Sequence, residues 1–251
     1  MLLIAAGDLI VDSWVSFRRN FMTYAEFAAW FVLLGLARWA VATFTASYAN
    51  DAVLRFFLNL VIGLPIYFMV AVLSVALIGT VAAHLARRQV DVRSALTDGF
   101  HKAFPYLWVS ILAFLGTAFG FLCVIIPSII LSVRWKFAQN FVVLYALRGR
   151  AALAASTKIV TGRWWATLGR LLAAAIFFYA AGAFVQSLVY LFVGALLGDP
   201  AIFFGQYSAG QILPKTYDII TTVVPQTISA FVFPLYLGAE ILLWNDLKKS
   251  A

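Results

Sequence analysis

Residues 56–86 read FFLNLVIGLPIYFMVAVLSVALIGTVAAHLA, a run that contains no Asp, Glu, Lys or Arg. A helix needs about 20 mostly apolar residues to cross the hydrocarbon core of a bilayer, and this run exceeds that length. Three further runs are also long and mostly apolar, namely Ala25–Tyr48, Leu171–Leu197 and Ile219–Leu243. The sequence therefore predicts an all-α integral membrane protein.

The composition supports the same class. Of the 251 residues, 64% are hydrophobic and only 11% are charged, whereas about a quarter are charged in a soluble domain. The net charge of +8 does not by itself indicate nucleic-acid binding, because the basic residues of membrane proteins concentrate in cytoplasmic loops. We expect the basic residues to contact anionic lipid headgroups, and we expect no nucleic-acid partner.

The region Tyr106–Leu147 is too long for one crossing and contains Pro127. A turn near Pro127 gives six spans and puts most of the 18 Lys and Arg residues on one side of the membrane, with Arg55 and Lys215 on the other. The alternative, a single crossing, would export a basic segment against the positive-inside rule. We therefore predict six helices with both termini in the cytoplasm. The outward loop Gly198–Asp218 is expected to form an irregular cap or a short re-entrant piece.

Three amphipathic stretches with aromatic and basic residues precede the apolar spans: Asp8–Phe21, Asp91–Phe104 and Ala151–Trp165. Such helices typically lie in the plane of a bilayer surface. They divide a single membrane domain, 1–251, into the units 1–86, 87–148 and 149–251, each a surface helix followed by a two-helix hairpin. The candidate interface residues on these stretches are Trp14, Phe17, Arg18, Arg19, Phe100, Arg163, Trp164 and Trp165.

Five charged residues fall inside predicted spans: Glu26, Arg38, Arg134, Lys136 and Glu240. Charges in a membrane are costly and are often functional. One interpretation is a polar cavity that holds an anionic group, such as a lipid phosphate, beside Arg38 and Arg134. The other, which we favour, is structural pairing between helices, with Lys136 and Glu26 extending toward an interface.

Two spacings predict helix packing. Lys136, Gln139 and Asn140 share one helical face, which is expected to contact protein. Gly116 and Gly120 form a Gly-x-x-x-Gly pattern that allows two helices to approach closely. A dimer interface and packing within the chain are both open, and we favour packing within the chain because five other helices are available.

Several short motifs resemble a known bacterial family: IIPSII at 125–130, VRW at 133–135, AALAAS at 151–156, VTGRWW at 160–165 and LWNDLKK at 243–249. The family is the six-helix membrane domain found fused to some glycerophosphodiester phosphodiesterases, together with its stand-alone relatives. The chain departs from it at Ser128, where the family favours Gly. The resemblance implies a bacterial inner-membrane location, but no phosphodiesterase activity, since that activity belongs to a separate soluble domain.

Catalytic patterns are not evident. His84 and His101 are the two histidines, and they share no metal-ligand spacing. No phosphate-binding loop or nucleophile–base arrangement is recognisable. We therefore expect no catalytic residue, no metal and no cofactor. The predicted function is a non-enzymatic accessory or scaffold subunit that organises local lipids or a membrane complex, with a membrane-protein partner or further copies of itself. The alternative is a small transporter or lipid-handling protein that uses the intramembrane charges.

Overall fold

The computed structural model describes residues 3–48, 51–123, 125–196 and 215–249, which fold almost entirely into helices and contain no strand. The predicted all-α class is confirmed. Five of the helices in these ranges are long and apolar enough to cross a membrane. The helices, in chain order, are α1 (Ala6–Arg19), α2 (Phe21–Tyr48), α3 (Ala52–Leu85), α4 (Val92–Cys123), α5 (Ile125–Trp135), α6 (Ala138–Tyr145), α7 (Arg150–Val160), α8 (Trp164–Leu196) and α9 (Lys215–Lys249).

The four long apolar runs correspond to α2, α3, α8 and α9. Ala86, the last residue of the second run, lies just past the end of α3, and Leu197, the last of the third, is outside the described residues. These helices extend past the predicted spans by up to about seven residues, since adding residues to an established helix costs little. The predicted outward loop Gly198–Asp218 lies outside the described residues, except for its last four positions, which begin α9.

The fourth predicted span is not one continuous helix. The chain reverses near Pro127 as predicted, and Pro127 lies in the first turn of α5, where its missing N–H leaves no intrahelical bond unmade. Helix α5 packs back along α4. After 11 residues α5 ends at Trp135, and the 8-residue α6 begins only at Ala138.

The two glycines of α4 serve this hairpin. A Cβ on Gly120 would lie 3.2 Å from the Ser128 amide nitrogen, and a Cβ on Gly116 would overlap the ring of Trp135. Packing of the Gly-x-x-x-Gly pattern within the chain is therefore confirmed. Close contact of this kind is a main source of helix association in lipid, where the hydrophobic effect between helices is weak.

The amphipathic stretches have different outcomes. The first and third form separate helices, α1 and α7; Asn20 ends α1, and Gly162, with φ +80°, follows α7. The prediction that the second stretch is a separate surface helix is wrong. This stretch forms the first part of α4. The helix continues past it because Pro105 is accommodated inside α4 and no residue of positive φ breaks it.

Helix α1 packs lengthwise on the bundle. It runs antiparallel to the C-terminal half of α9: the Ile4 amide donates to Asp246 at 2.8 Å, and Ser13 lies against Gly238. Phe17 is buried and stacks on Tyr24 with ring centroids 5.3 Å apart. One face of the α1 amphipathic pattern thus contacts protein, which differs from a helix whose whole apolar face rests on lipid.

Helix α7 behaves in the same way. It packs against α5 and α6, and its buried residues are Ala152, Leu153, Ser156, Ile159 and Val160. The buried core of the described chain lies where α6 and α7 meet the second half of α3 and the C-terminal half of α9.

Candidate functional site

The break between α5 and α6 has its own hydrogen bonds. The Lys136 amide donates to the Val133 carbonyl at 3.4 Å, closing the last turn of α5. The Ser156 hydroxyl, from α7, accepts from the Phe137 amide at 3.2 Å and donates to the Arg134 carbonyl at 2.6 Å. Ser156 is fully buried. It therefore replaces backbone partners that an uninterrupted helix would have supplied.

Lys136, at this break, forms an ion pair with α9. Its Nζ lies 2.8 Å from Glu240 Oε2, and the Lys136 and Glu240 side chains are 34% and 6% exposed. The same Nζ lies 5.1 Å from the ring centroid of Tyr236, within cation–π range. Asn140 Nδ2 donates to the second carboxylate oxygen, Glu240 Oε1, at 3.3 Å. Both oxygens of this buried carboxylate are thereby satisfied.

The predicted protein-facing side of this segment is confirmed. Lys136 and Asn140 contact Glu240, and Gln139 Nε2 donates to Ser110 Oγ of α4 at 2.9 Å. The remaining acceptor of Asn140, Oδ1, is buried without a partner. The cluster thus joins α4, α6 and α9 by polar contacts.

The other predicted intramembrane charges are placed elsewhere. Glu26, Arg38 and Arg134 have exposed side chains, and none of them forms an ion pair within the described residues. The structure therefore brings together Lys136 and Glu240, as the structural interpretation anticipates, and does not add Arg38 or Arg134 to that pair. Whether any of the five binds a ligand stays a prediction.

The predicted interface residues are mixed in burial. Trp14, Arg18, Arg19, Phe100 and Trp165 are exposed, Arg163 and Trp164 are half-buried, and Phe17 is buried. Trp164 Nε1 donates to the Ile130 carbonyl at 3.4 Å, so this ring contributes to packing against α5.

A groove between α1, α8 and α9, with Phe21 of α2 also on its wall, was not anticipated from the sequence. Its volume is about 700 Å³, within the range of roughly 300–1,000 Å³ that is usual for small-molecule sites. Every residue that lines it is apolar: Ile10, Val11, Trp14, Phe17, Phe21, Phe177, Phe178, Ala181, Gly182, Val185, Ile228, Phe231, Val232 and Leu235. The available signal is the helical spacing of the aromatic residues on α1, a pattern that also fits a helix on a bilayer surface.

Within the described ranges, no three His, Cys, Asp or Glu side chains come close enough together to hold a metal ion. No family model, no curated protein and no solved structure matches this chain.

Proposed function

We propose that this chain is a non-enzymatic integral membrane protein, an accessory or scaffold subunit that organises a membrane complex or the lipids around it. The observation that carries the proposal is the contrast in burial among the long helices. The C-terminal halves of α3 and α9 contribute much of the core, whereas α4 and α8 expose large apolar side chains along their length, including Phe114, Phe119, Phe184 and Phe192. Such faces are suited to lipid or to another membrane protein.

The intramembrane charges support the same proposal. The Lys136–Glu240 pair is satisfied by internal partners, as expected for a structural pair. The described groove of about 700 Å³ has only apolar walls and touches neither residue. The Lys136–Glu240 pair and the groove are thus separate features, whereas a transport site that used this pair would place it beside a cavity.

The proposed topology has six crossings, with both termini in the cytoplasm of a bacterium and the domain in its inner membrane. The pair α5–α6 supplies the fourth crossing: its 11-residue and 8-residue helices and their short connection span about 30 Å at 1.5 Å per residue. The proposed family is that of the membrane domain of glycerophosphodiester phosphodiesterases, and the motifs between Gly120 and Trp165 support this assignment.

Cysteine labelling tests this topology. In a Cys123→Ser background, Arg150→Cys should react with a membrane-impermeant maleimide only from the cytoplasmic side. Arg55→Cys, the matched control, should react in intact spheroplasts. Labelling of Arg150→Cys in intact spheroplasts would exclude the six-span topology.

Native extraction tests the scaffold function. The chain is taken from its membrane in styrene–maleic acid particles and then in mild detergent, and the retained proteins and lipids are quantified. A protein at a fixed ratio, or a lipid enriched over the bulk membrane, is expected. Recovery of the chain alone, with bulk lipid composition, would overturn the proposal. Phe114→Ala/Phe119→Ala on α4 and Phe184→Ala/Phe192→Ala on α8 are matched pairs, and loss with one pair only identifies the docking helix.

A second candidate, a small transporter or lipid-handling protein, is favoured by the break at Lys136. Interrupted helices form substrate and ion sites in many transporters. Water access distinguishes the two functions, because a transport site is reached by water from one side. In the Cys123→Ser background, Asn140→Cys should resist a water-soluble maleimide in a scaffold and react in a transporter, while Arg150→Cys reacts in both.

A further inference from the structure

The apolar groove is suited to a hydrocarbon chain. Its walls come from α1, α8 and α9 together with Phe21 at the start of α2, and no charged side chain lines it. It opens at the surface of the molecule, since Val11, Trp14 and Phe177 on its rim are about half exposed. In a chain that resides in a membrane, the apolar molecule present at highest concentration beside such an opening is the acyl chain of a lipid.

A polar crevice adjoins one end of the groove. It has a volume of about 420 Å³ and is lined by Arg18, Arg19, Asn20, Phe21, Met22, Thr23, His84, Gln89 and Val90. Phe21 lines both the groove and the crevice, and its ring stacks on Phe231 with centroids 5.9 Å apart. The groove and the crevice are therefore neighbouring compartments that share one aromatic wall.

The crevice carries uncompensated positive charge. Arg18 and Arg19 are exposed, and neither forms an ion pair within the described part of the chain. Guanidinium groups bind phosphate through two parallel hydrogen bonds. Positive charge next to an apolar groove is complementary to a molecule with an anionic head and a hydrocarbon tail.

We propose that the groove and the crevice together bind one anionic membrane phospholipid, with an acyl chain in the groove and the phosphate headgroup at Arg18 and Arg19. This inference rests on the proposed membrane function and names the lipid class that the protein retains. Phe21 would separate the hydrocarbon from the headgroup.

The chain contains its own fluorescence probe, because Trp14 lines the groove. The chain is reconstituted into phosphatidylcholine vesicles that contain a minor fraction of phosphatidylglycerol, and bromine is placed on the acyl chains of one lipid or the other. Bromine quenches tryptophan only at short range, so the difference between wild type and Trp14→Phe isolates the signal of Trp14. We expect stronger quenching by brominated phosphatidylglycerol than by brominated phosphatidylcholine at equal mole fraction.

The headgroup contact is tested with Arg18→Gln/Arg19→Gln. Each arginine near a membrane surface strengthens the binding of anionic lipid by roughly fivefold. The preference of the double variant for phosphatidylglycerol over phosphatidylcholine should therefore fall by on the order of tenfold or more. Trp14 of the double variant should still be quenched by both brominated lipids, to the same extent by each. Arg148→Gln/Arg150→Gln removes the same two charges outside the crevice and should keep the preference. A preference that survives in Arg18→Gln/Arg19→Gln would refute the headgroup contact.

The acyl-chain contact is tested at Ala181, an exposed residue that lines the groove. Ala181→Leu should fill the groove and reduce quenching of Trp14 by both lipids. Ala183→Leu, exposed on the same helix but outside the groove, should quench like wild type. Val11→Asp, also at an exposed groove position, gives an independent second variant. Wild-type quenching in both Ala181→Leu and Val11→Asp would overturn the proposal.

Flotation separates this proposal from the proposed function. A chain that does not float with the vesicles contradicts membrane integration and hence both proposals. A chain that floats, keeps its helical circular dichroism and shows no preference for phosphatidylglycerol contradicts the lipid site alone.

Discussion

Replacing Lys136 by Met should destabilise the protein more than neutralising its partner Glu240. In Lys136→Met the Glu240 carboxylate, only 6% exposed, keeps the Asn140 amide as its hydrogen-bond donor and loses its counter-charge. Removing one member of a buried ion pair costs about 3–5 kcal/mol. Because the Lys136 side chain is 34% exposed, we expect a value near the lower end, about 3 kcal/mol.

Neutralising Glu240 instead leaves the Lys136 ammonium without its counter-charge, and this ammonium is less buried than the Glu240 carboxylate. In Glu240→Gln, Lys136 retains the Tyr236 ring and can extend its flexible side chain toward the surface. The expected cost is about 1 kcal/mol, similar to the loss of one hydrogen bond. The double variant Lys136→Met/Glu240→Gln contains no unpaired charge, so it should recover about 2 kcal/mol relative to Lys136→Met alone.

The free energy of unfolding is measured by titrating the protein with sodium dodecyl sulfate in mixed dodecylmaltoside micelles, followed by far-ultraviolet circular dichroism. Lys158→Met is the matched control, because Lys158 is exposed on α7 and its loss should change stability by less than about 0.5 kcal/mol. A double variant no more stable than Lys136→Met, or a Glu240→Gln variant less stable than Lys136→Met, would refute this account of the pair.

Two further predictions concern packing and use the same titration. Ser156→Ala leaves two buried backbone groups at the helix break without their partner and should lower the free energy of unfolding by about 2 kcal/mol. Ser187→Ala removes a hydroxyl that is bonded within its own helix and should be close to neutral. Equal effects of the two variants would argue against the bridging role of Ser156. Gly116→Ala should destabilise the α4–α5 hairpin, because the added Cβ overlaps Trp135. In Gly169→Ala the added Cβ meets no neighbour, so this variant should be neutral or more stable by up to about 1 kcal/mol. A Gly116→Ala variant as stable as wild type would contradict the close packing.

The long helices were predictable because their signal is local. A run such as residues 56–86 is apolar over more than the thickness of a bilayer, and no distant residue can change that property. The reversal at Pro127 was also predictable, since proline is favoured in the first turn of a helix and the distribution of basic residues required a turn.

The break at Lys136 was not predictable from the residues around it. Residues 133–138 read VRWKFA and contain neither glycine nor proline. The interruption depends on Ser156, which reaches it from another helix. The partner of Lys136 likewise lies on α9, about a hundred residues away in sequence, and helical spacing reports only neighbours on the same helix.

The location of α1 was ambiguous for a different reason. An amphipathic helix has the same periodicity whether its apolar face meets lipid or another helix. In α1 both occur around one cylinder: Leu9 and Phe17 are buried, while Val11 and Trp14 are exposed. The contacts of Ile4 and Ser13 with α9 distinguish a helix that packs along the bundle from one that lies flat on a surface.

Helix α9 carries the two candidate sites on different faces. Val232 and Leu235 line the apolar groove, while Tyr236 and Glu240 face Lys136. Consecutive residues of a helix differ in direction by about 100°, so Leu235 and Tyr236 point into separate environments although they are neighbours in sequence. The groove can be filled without touching the ion pair, and the ion pair can be removed without polarising the groove. The proposed lipid binding and the stability of the α6–α9 contact should therefore be separable by mutation, although both depend on the same helix.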